Sequence, residues 1–423
     1  MTHLGEQFYP QGVRWDDTIA RGTLPDLLSA AAAEFGSRPA LEFRDRPISY
    51  GELEALVEAA ASAFLRAGYG KDHSVALFLG NSPDHPVNFF GALKAGARIV
   101  HLSPLDGEIA LSHKLSDSGA RVLATSNLSA LLPTALKFLD KGLLDRLIVC
   151  EDDHWGKVGT PQTALPDDSR IITYRQFADG ATKPQQWPAL TADDVALLQY
   201  TGGTTGLPKG AMLSHGNLTS AVSIYDVWGK PSRAERNAIE RVICVLPLFH
   251  IYALTVVLLS SIRRGNLISL HQRFDVAAVM RDIEVKRATA FPGVPTMWIA
   301  IAALPDLDKR DLSSLVSVGS GGAPLPIEVA RILEQRVGMK LKSGWGMTET
   351  CSPGTAHPKE GPDKPGSIGL MLPGIEMDVV SLEDPTRVMP TGETGEIRIR
   401  GPNVTKGYWN RPKETAEAFV GDR

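Results

Sequence analysis

Residues 199–210, QYTGGTTGLPKG, set glycines, threonines and one lysine directly behind the strand-like run VALLQY at 195–200. Glycines let backbone N–H groups approach an oxyanion without a Cβ in the way, threonine hydroxyls add donors, and Lys209 adds a mobile positive charge. The loop therefore suits phosphate, although each feature alone also fits a plain glycine-rich turn. It is not the P-loop signature, which ends in Gly-Lys-Ser/Thr, because Lys209 stands between Pro208 and Gly210. Further along come LPLFHIYAL (246–254), SVGSGGAPLP (317–326), SGWGMTET (343–350) and GETGEIRIRGPNVTKGYWNRPKETAEAF (392–419).

The elements that must carry these stretches alternate. Apolar residues recur at helical spacing over Leu24–Phe35 and 50–67, each behind a start signal, Thr23 before LPDLL and Ser49 before YGELEAL. Short continuous apolar runs, SVALFLGNS, RVLATS and DRLIVC, suit buried parallel strands. Between 150 and 190 the chain turns polar and proline-dotted, and from 194 to about 342 the alternation resumes through RVICVLP, NLISLH, ATAFPGV, LVSVGS and MKLKSGWG. Past 365 come short β-type segments between Gly-, Pro- and Thr-rich turns. The expectation is an α/β protein: two α/β subdomains with mainly parallel sheets, at 1–190 and 191–360, and a small β-barrel-like subdomain at 361–423.

Composition narrows the function. With 44 basic and 48 acidic side chains the formal net charge is -4, so nothing draws the chain toward nucleic acid or an anionic membrane. Cys150, Cys244 and Cys351 lack C-x-x-C spacing, which argues against a disulfide framework or a cysteine zinc site and fits buried thiols in a reducing cytoplasm. The first fifteen residues carry no secretory pattern, and the longest apolar stretch, 253–259, is too short for a bilayer span. A cytoplasmic enzyme is expected, with a homodimer as one possible state.

Taken together and in order, the five stretches resemble those of the adenylate-forming superfamily, which includes acyl-CoA synthetases, firefly luciferase and nonribosomal peptide adenylation domains. The resemblance runs from roughly residue 24 to the end. It implies that Thr201, Gly202, Gly203, Thr204, Thr205, Gly206 and Lys209 hold the β- and γ-phosphates of ATP, Gly203 standing where the family more often has serine. It places Gly322, Ala323 and Pro324 at adenine, where small residues let a flat heterocycle lie against backbone. It puts Trp345 in the stacking position, usually a tyrosine, with Gly346 and Met347 beside it, Thr348 at the α-phosphate and Glu349 on Mg²⁺. A carboxylate is apt there, since Mg²⁺ takes hard oxygen ligands and few protein carboxylates. His250 and Tyr252 fall beside the acyl pocket, with Val294, Gly319, Ser320, Gly321 and Gly344; His250 has no nearby carboxylate in sequence and is not read as a general base. Glu393, Gly395, Glu396, Arg400 and Gly401 read as architectural.

The implied reaction is attack of a carboxylate on the α-phosphate of ATP, giving acyl-adenylate and pyrophosphate, followed by transfer of the acyl group to coenzyme A. Gly319, Gly321 and Gly344 would leave room for a medium- or long-chain fatty acid. Arg263 and His271 keep a dicarboxylate open, and an aryl acid is a further alternative. The resemblance also implies a ribose-binding aspartate, a hinge and a C-terminal lid domain with a catalytic lysine. The chain shows none of these before Arg423, so the expectation is the large N-terminal part of a ligase, impaired in adenylation. Two rival readings are a domain that loads a carrier protein and a non-catalytic binding body.

Overall fold

The computed structural model describes residues 5–202, 206–230, 239–358, 364 and 366–421. Local signals account for the helix starts. The Thr23 hydroxyl accepts from the Asp26 backbone N–H ahead of Leu24–Phe35, and Ser49 with Glu52 forms a capping box ahead of Tyr50–Arg66. A further box, Ser214 with Asn217, launches His215–Trp228, the helix that follows the hairpin of Val195–Thr201 and Lys209–Ser214.

Two sheets form the body. A seven-stranded sheet runs in the order Ile171–Thr173, Arg146–Cys150, Val122–Ser126, Ser74–Phe78, Arg98–His101, Val195–Thr201 and Lys209–Ser214, parallel except for the last strand. A nine-stranded sheet has a parallel centre made of Lys342–Trp345, Ser317–Ser320, Ala290–Gly293, Arg241–Cys244, Leu267–Leu270 and Pro39–Phe43. Antiparallel edges, Thr355–Ala356 with Leu370–Met371 on one side and Arg46–Ser49 on the other, complete it. Among the described residues no helix is long and apolar enough to cross a membrane.

The sheets do not divide at residue 190. Val195–Thr201 pairs with Arg98–His101 in the first sheet, while Pro39–Phe43 pairs with Leu267–Leu270 in the second. Leu41 and Phe43 are fully or nearly buried, and the neighbouring Tyr50 hydroxyl donates to the carbonyls of Ser261 and Asn266 at 3.1 and 2.8 Å. An apolar run specifies burial but not which sheet receives it, so a division drawn from sequence order separates strands that pair. The expected barrel at 361–423 is, among the described residues, a two-stranded antiparallel ribbon, Glu376–Val380 with Glu396–Arg400. Downstream, Tyr408 bridges to Ala211, which ties the end of the chain to the seven-stranded sheet.

Candidate active site

Four parallel strands of the larger sheet, Arg241–Cys244, Ala290–Gly293, Ser317–Ser320 and Lys342–Trp345, end at one edge. The segments that follow them are 245–252, 294–296, 321–324 and 346–350, so three of the stretches singled out in sequence, and Val294 with them, leave the same carboxyl edge. Ligands of open α/β sheets bind at that edge. From the smaller sheet, Val195–Thr201 brings the glycine–threonine loop to its own carboxyl edge. The two edges meet through Gln199, whose Nε2 donates to the Phe249 carbonyl at 3.0 Å while its Oε1 lies 3.1 Å from His101 Nδ1.

Asn81, buried, holds the 244–248 backbone from both sides: Nδ2 donates to the carbonyls of Cys244 and Leu246, and Oδ1 accepts from Leu248 N–H at 2.9 Å. This fixes the approach to His250, whose Nδ1 accepts from Tyr252 N–H at 3.3 Å. The His250 ring opens to solvent at the cleft but has protein mass around it, and the lost hydration lowers its pKa. Among the described residues no carboxylate lies within hydrogen-bond or ion-pair distance of it. Beyond it the chain makes a π-helical turn, Ala253–Leu259, in which the buried Thr255 hydroxyl has no partner among the described residues.

Tyr252 lies over Gly321, where a Cβ would stand 2.9 Å from the ring carbon Cζ. Gly321 N–H donates to the Gly293 carbonyl at 3.1 Å, and Val294 reaches the same turn, its Cγ1 3.4 Å from where a Gly322 Cβ would be. Tyr252, Val294, Gly321 and Gly322 are thus brought together, with Ser320 buried and its hydroxyl without a partner among the described residues. Gly319 and Gly344 depart from the expectation that they make room for an acyl chain. Their missing side chains face backbone, at 3.2 Å from the Lys342 carbonyl and 2.4 Å from the Thr355 carbonyl, because both lie within strand pairings.

After the strand Ser317–Ser320, Gly322 takes a left-handed φ of 78°, which turns the chain toward Ala323 and Pro324. Trp345 is half-buried and packs onto Gly354, where a Cβ would fall 2.6 Å from its ring, and joins the apolar cluster of Leu372 and Ile375. Gly346 is constrained still more: a Cβ there would overlap the Ser352 carbonyl at 1.4 Å. Met347 is exposed and Thr348 half-exposed at the start of the Thr348–Thr350 turn. Cys351 and Ser352 follow with φ of 55° and 96°, two consecutive left-handed residues that are not glycine. Buried Asn403 clasps that turn, its Nδ2 donating to the carbonyls of Thr350 and Pro353 at 2.7 and 2.8 Å, and Thr405 N–H donates to the Glu349 carbonyl at 2.7 Å.

The two charged candidates meet at one side chain. Tyr408 hydroxyl donates to Glu349 Oε1 at 2.8 Å, and Lys209 Nζ sits 4.8 Å from the centre of the Tyr408 ring. Burial, then the neighbouring Glu349 charge, raises the Tyr408 pKa, so the phenol stays a donor. Thr201 pairs with Lys209 across the hairpin, and none of the described residues crowds the α-carbons of Gly202 and Gly206. Gly203, Thr204 and Thr205 lie outside the described residues. Among those described, no group of three or more His, Cys, Asp or Glu forms a metal cage. The single carboxylate Glu349, with one oxygen fixed by a neutral donor, fits an ion such as Mg²⁺ that draws its other ligands from phosphate and water.

Asn81, Gln199, Asn403 and Tyr408 were not expected in these roles. Asn403 and Tyr408 stand within the stretch 392–419, but Asn81 has no local signal at all. All three cysteines are free and buried. Two cavities lie away from the cleft. One, of about 480 Å³, is bordered by Leu315, Val316 and Val318, by Arg310 and by Arg336. The other, of about 280 Å³, is bordered by Arg44, Arg281 and Lys286, whose charges are paired with Asp152, Asp45 and Glu42.

A model of the family described as "AMP-binding enzyme" matches residues 28–409. A long-chain-fatty-acid–CoA ligase of Bacillus subtilis (strain 168) is 33% identical over 436 residues, covering 98% of this chain and 76% of the relative. A feruloyl-CoA synthase of Amycolatopsis sp. is 37% identical over 379 residues, covering 88% of this chain and 68% of the relative. The crystal structure of a long-chain-fatty-acid-CoA ligase from Archaeoglobus fulgidus superimposes with a TM-score of 0.82 at 27% identity, over 97% of this chain and 80% of that one. The matched span takes in the glycine–threonine loop, the turn around Gly322 and the Glu349–Tyr408 pair, and the chain belongs to the family of AMP-binding enzymes with the architecture of adenylate-forming acid–CoA ligases.

Proposed function

We propose that this chain activates a medium- or long-chain fatty acid with ATP and passes the acyl group to coenzyme A. The observation that carries the reading is the meeting, at adjoining strand ends, of a lysine and glutamate sharing Tyr408 with an apolar wall of Tyr252 and Val294. A fatty carboxylate is an anion at pH 7 and needs no base, so the site's work is orientation and charge neutralisation. One carboxylate oxygen forms a bond to the α-phosphorus, the bond to the bridging oxygen breaks, and pyrophosphate departs with that electron pair. The thiolate of coenzyme A then adds to the acyl carbonyl, and AMP leaves.

Lys209 would take phosphate oxygens, Glu349 would take Mg²⁺, and Gly322, Ala323, Pro324 and Trp345 would border adenine. Mg²⁺, when bound, would spread the charge developing on the phosphates. His271 is unsuited to hold the far end of a dicarboxylate, since its Nε2 is 2.9 Å from buried Asp282, and Arg263 is exposed at the end of the helix Ser260–Arg264. An aryl acid is the second reading, favoured by the likeness to a feruloyl-CoA synthase.

Thermal shift with dodecanoate, hexadecanoate, ferulate and decanedioate separates these. A ligand at 100 times its dissociation constant stabilises by about 2.7 kcal/mol, so the fatty acids should raise the melting temperature by several degrees and decanedioate should not. Stabilisation by ferulate alone would move the assignment to an aryl acid.

A further inference from the structure

Tyr408 touches both charged side chains of the candidate phosphate site, and its own place is fixed by backbone. Met212 N–H donates to the Gly407 carbonyl and Trp409 N–H to the Gly210 carbonyl, each at 2.8 Å, so residues 407–409 lie along the strand that begins at Lys209. Tyr408 N–H itself donates to Thr415 Oγ1 at 2.9 Å. The same segment carries Asn403 and Thr405, which hold the turn on which Glu349 sits. One stretch of chain therefore sets the lysine, the phenol and the carboxylate in register.

A lysine and a glutamate this near a common group would ordinarily pair with each other, and no Lys209–Glu349 ion pair is present among the described residues. The phenol offers each a neutral partner instead: its hydroxyl proton for the carboxylate, its π-face for the ammonium. Neither charge is cancelled, so the carboxylate keeps its affinity for a cation and the ammonium its affinity for phosphate. We propose that Tyr408 is a positioning residue of the adenylation site, holding Glu349 in one orientation for a divalent cation and keeping Lys209 from pairing with it. This rests on the reading of Lys209 and Glu349 given above.

The test is calorimetric titration of ATP into this chain over a range of MgCl₂ concentrations, for the parent, Tyr408→Phe and Tyr408→Leu, with melting temperatures recorded to verify folding. Phenylalanine keeps the ring and loses the hydrogen bond. The MgCl₂ concentration giving half the maximal gain in ATP affinity should rise on the order of tenfold, the loss typical when a ligand's outer partner is removed. ATP affinity without Mg²⁺ should not change. Reductive methylation of Lys209 in nucleotide-free protein, read by peptide mass, should be unaltered in Tyr408→Phe and several-fold different in Tyr408→Leu.

A merely structural role would weaken ATP equally with and without Mg²⁺. That result, or a Mg²⁺ dependence in Tyr408→Phe equal to the parent's, overturns the proposal. Unaltered Lys209 reactivity in a folded Tyr408→Leu overturns its lysine half; should the leucine variant not fold, the phenylalanine variant decides. A parent chain that binds no ATP at any MgCl₂ concentration overturns the nucleotide reading itself, and this proposal with it, and is told apart because the parent rather than the variant fails.

Discussion

The strands Val195–Thr201 and Ser317–Ser320 each run parallel to a neighbour and each end in a glycine-rich loop at a carboxyl edge, yet five of seven residues are buried in the first and one of four in the second. The wall that carries His250 is fixed from beneath by Asn81, Gln199 and His101, all at most a tenth exposed. The wall that carries Glu349 is held mainly by hydrogen bonds from residues 403–408 and by two left-handed residues at 351–352. Burial gives the first wall its geometry without any ligand. The second has less buried surface behind it, so a bound nucleotide has more to contribute to its stability.

The largest way to break this contrast is Asn81→Ala. It strips the acceptor from Leu248 N–H and the donor from two buried carbonyls. At roughly 1–3 kcal/mol for each buried group left unmet, the loss should reach about 3 kcal/mol or more. Chemical denaturation should show it as a lower midpoint with an unchanged slope. A loss below about 1 kcal/mol would mean that the 244–248 backbone does not depend on Asn81.

A somewhat smaller effect comes from pH. Burial lowers the His101 pKa to about 4, against about 6.5 in the unfolded chain, and His85 beside it is lowered too. Between those values the unfolded chain binds more protons than the folded one, so stability is present above pH 6.5 and is lost as the pH falls toward 4. Taking His101→Gln as the neutral reference, denaturation at pH 7 and pH 5 should show the parent losing about 2 kcal/mol more than the variant. Equal losses in the two proteins would contradict it.

The smallest effect on folding falls on the other wall. Gly346→Ala drives a methyl into the Ser352 carbonyl and must displace the turn that carries Glu349. Calorimetry should show ATP affinity reduced at least about tenfold, which is about 1.4 kcal/mol, with a melting temperature within a few degrees of the parent's. A variant that melts far below the parent would show this wall to be as integral to folding as the first.

The sequence carries much of this because helix starts and buried strands are written locally, in Thr23, in Ser49 with Glu52, and in runs such as SVALF. The motifs at 321–324 and 346–350 were legible for the same reason: each is a contiguous turn at a strand end. What escaped is long-range. Asn81 serves residues more than 160 positions away, and Tyr408 reaches back 59 positions to Glu349. Nothing in GNSPDH or KGYW names the partner. Pairing of Pro39–Phe43 with Leu267–Leu270 is likewise a choice between two equally apolar sheets. The glycines misled where chemistry was read from size alone: Gly319 and Gly344 are small because neighbouring backbone crowds them.

The central claim is that the buried wall and the stitched wall border one continuous site for an acyl-adenylate. It is tested most directly by calorimetry of this chain with AMP, with dodecanoate, and with a non-hydrolysable mimic in which a dodecanoyl group is joined to adenosine through a sulfamate. Joining two ligands that occupy adjoining places makes the second contact intramolecular and raises affinity by about 10²–10⁴. The account predicts that the mimic binds at least about a hundredfold more tightly than either fragment. A mimic no tighter than the better fragment would contradict it, because the two walls would then not face one ligand.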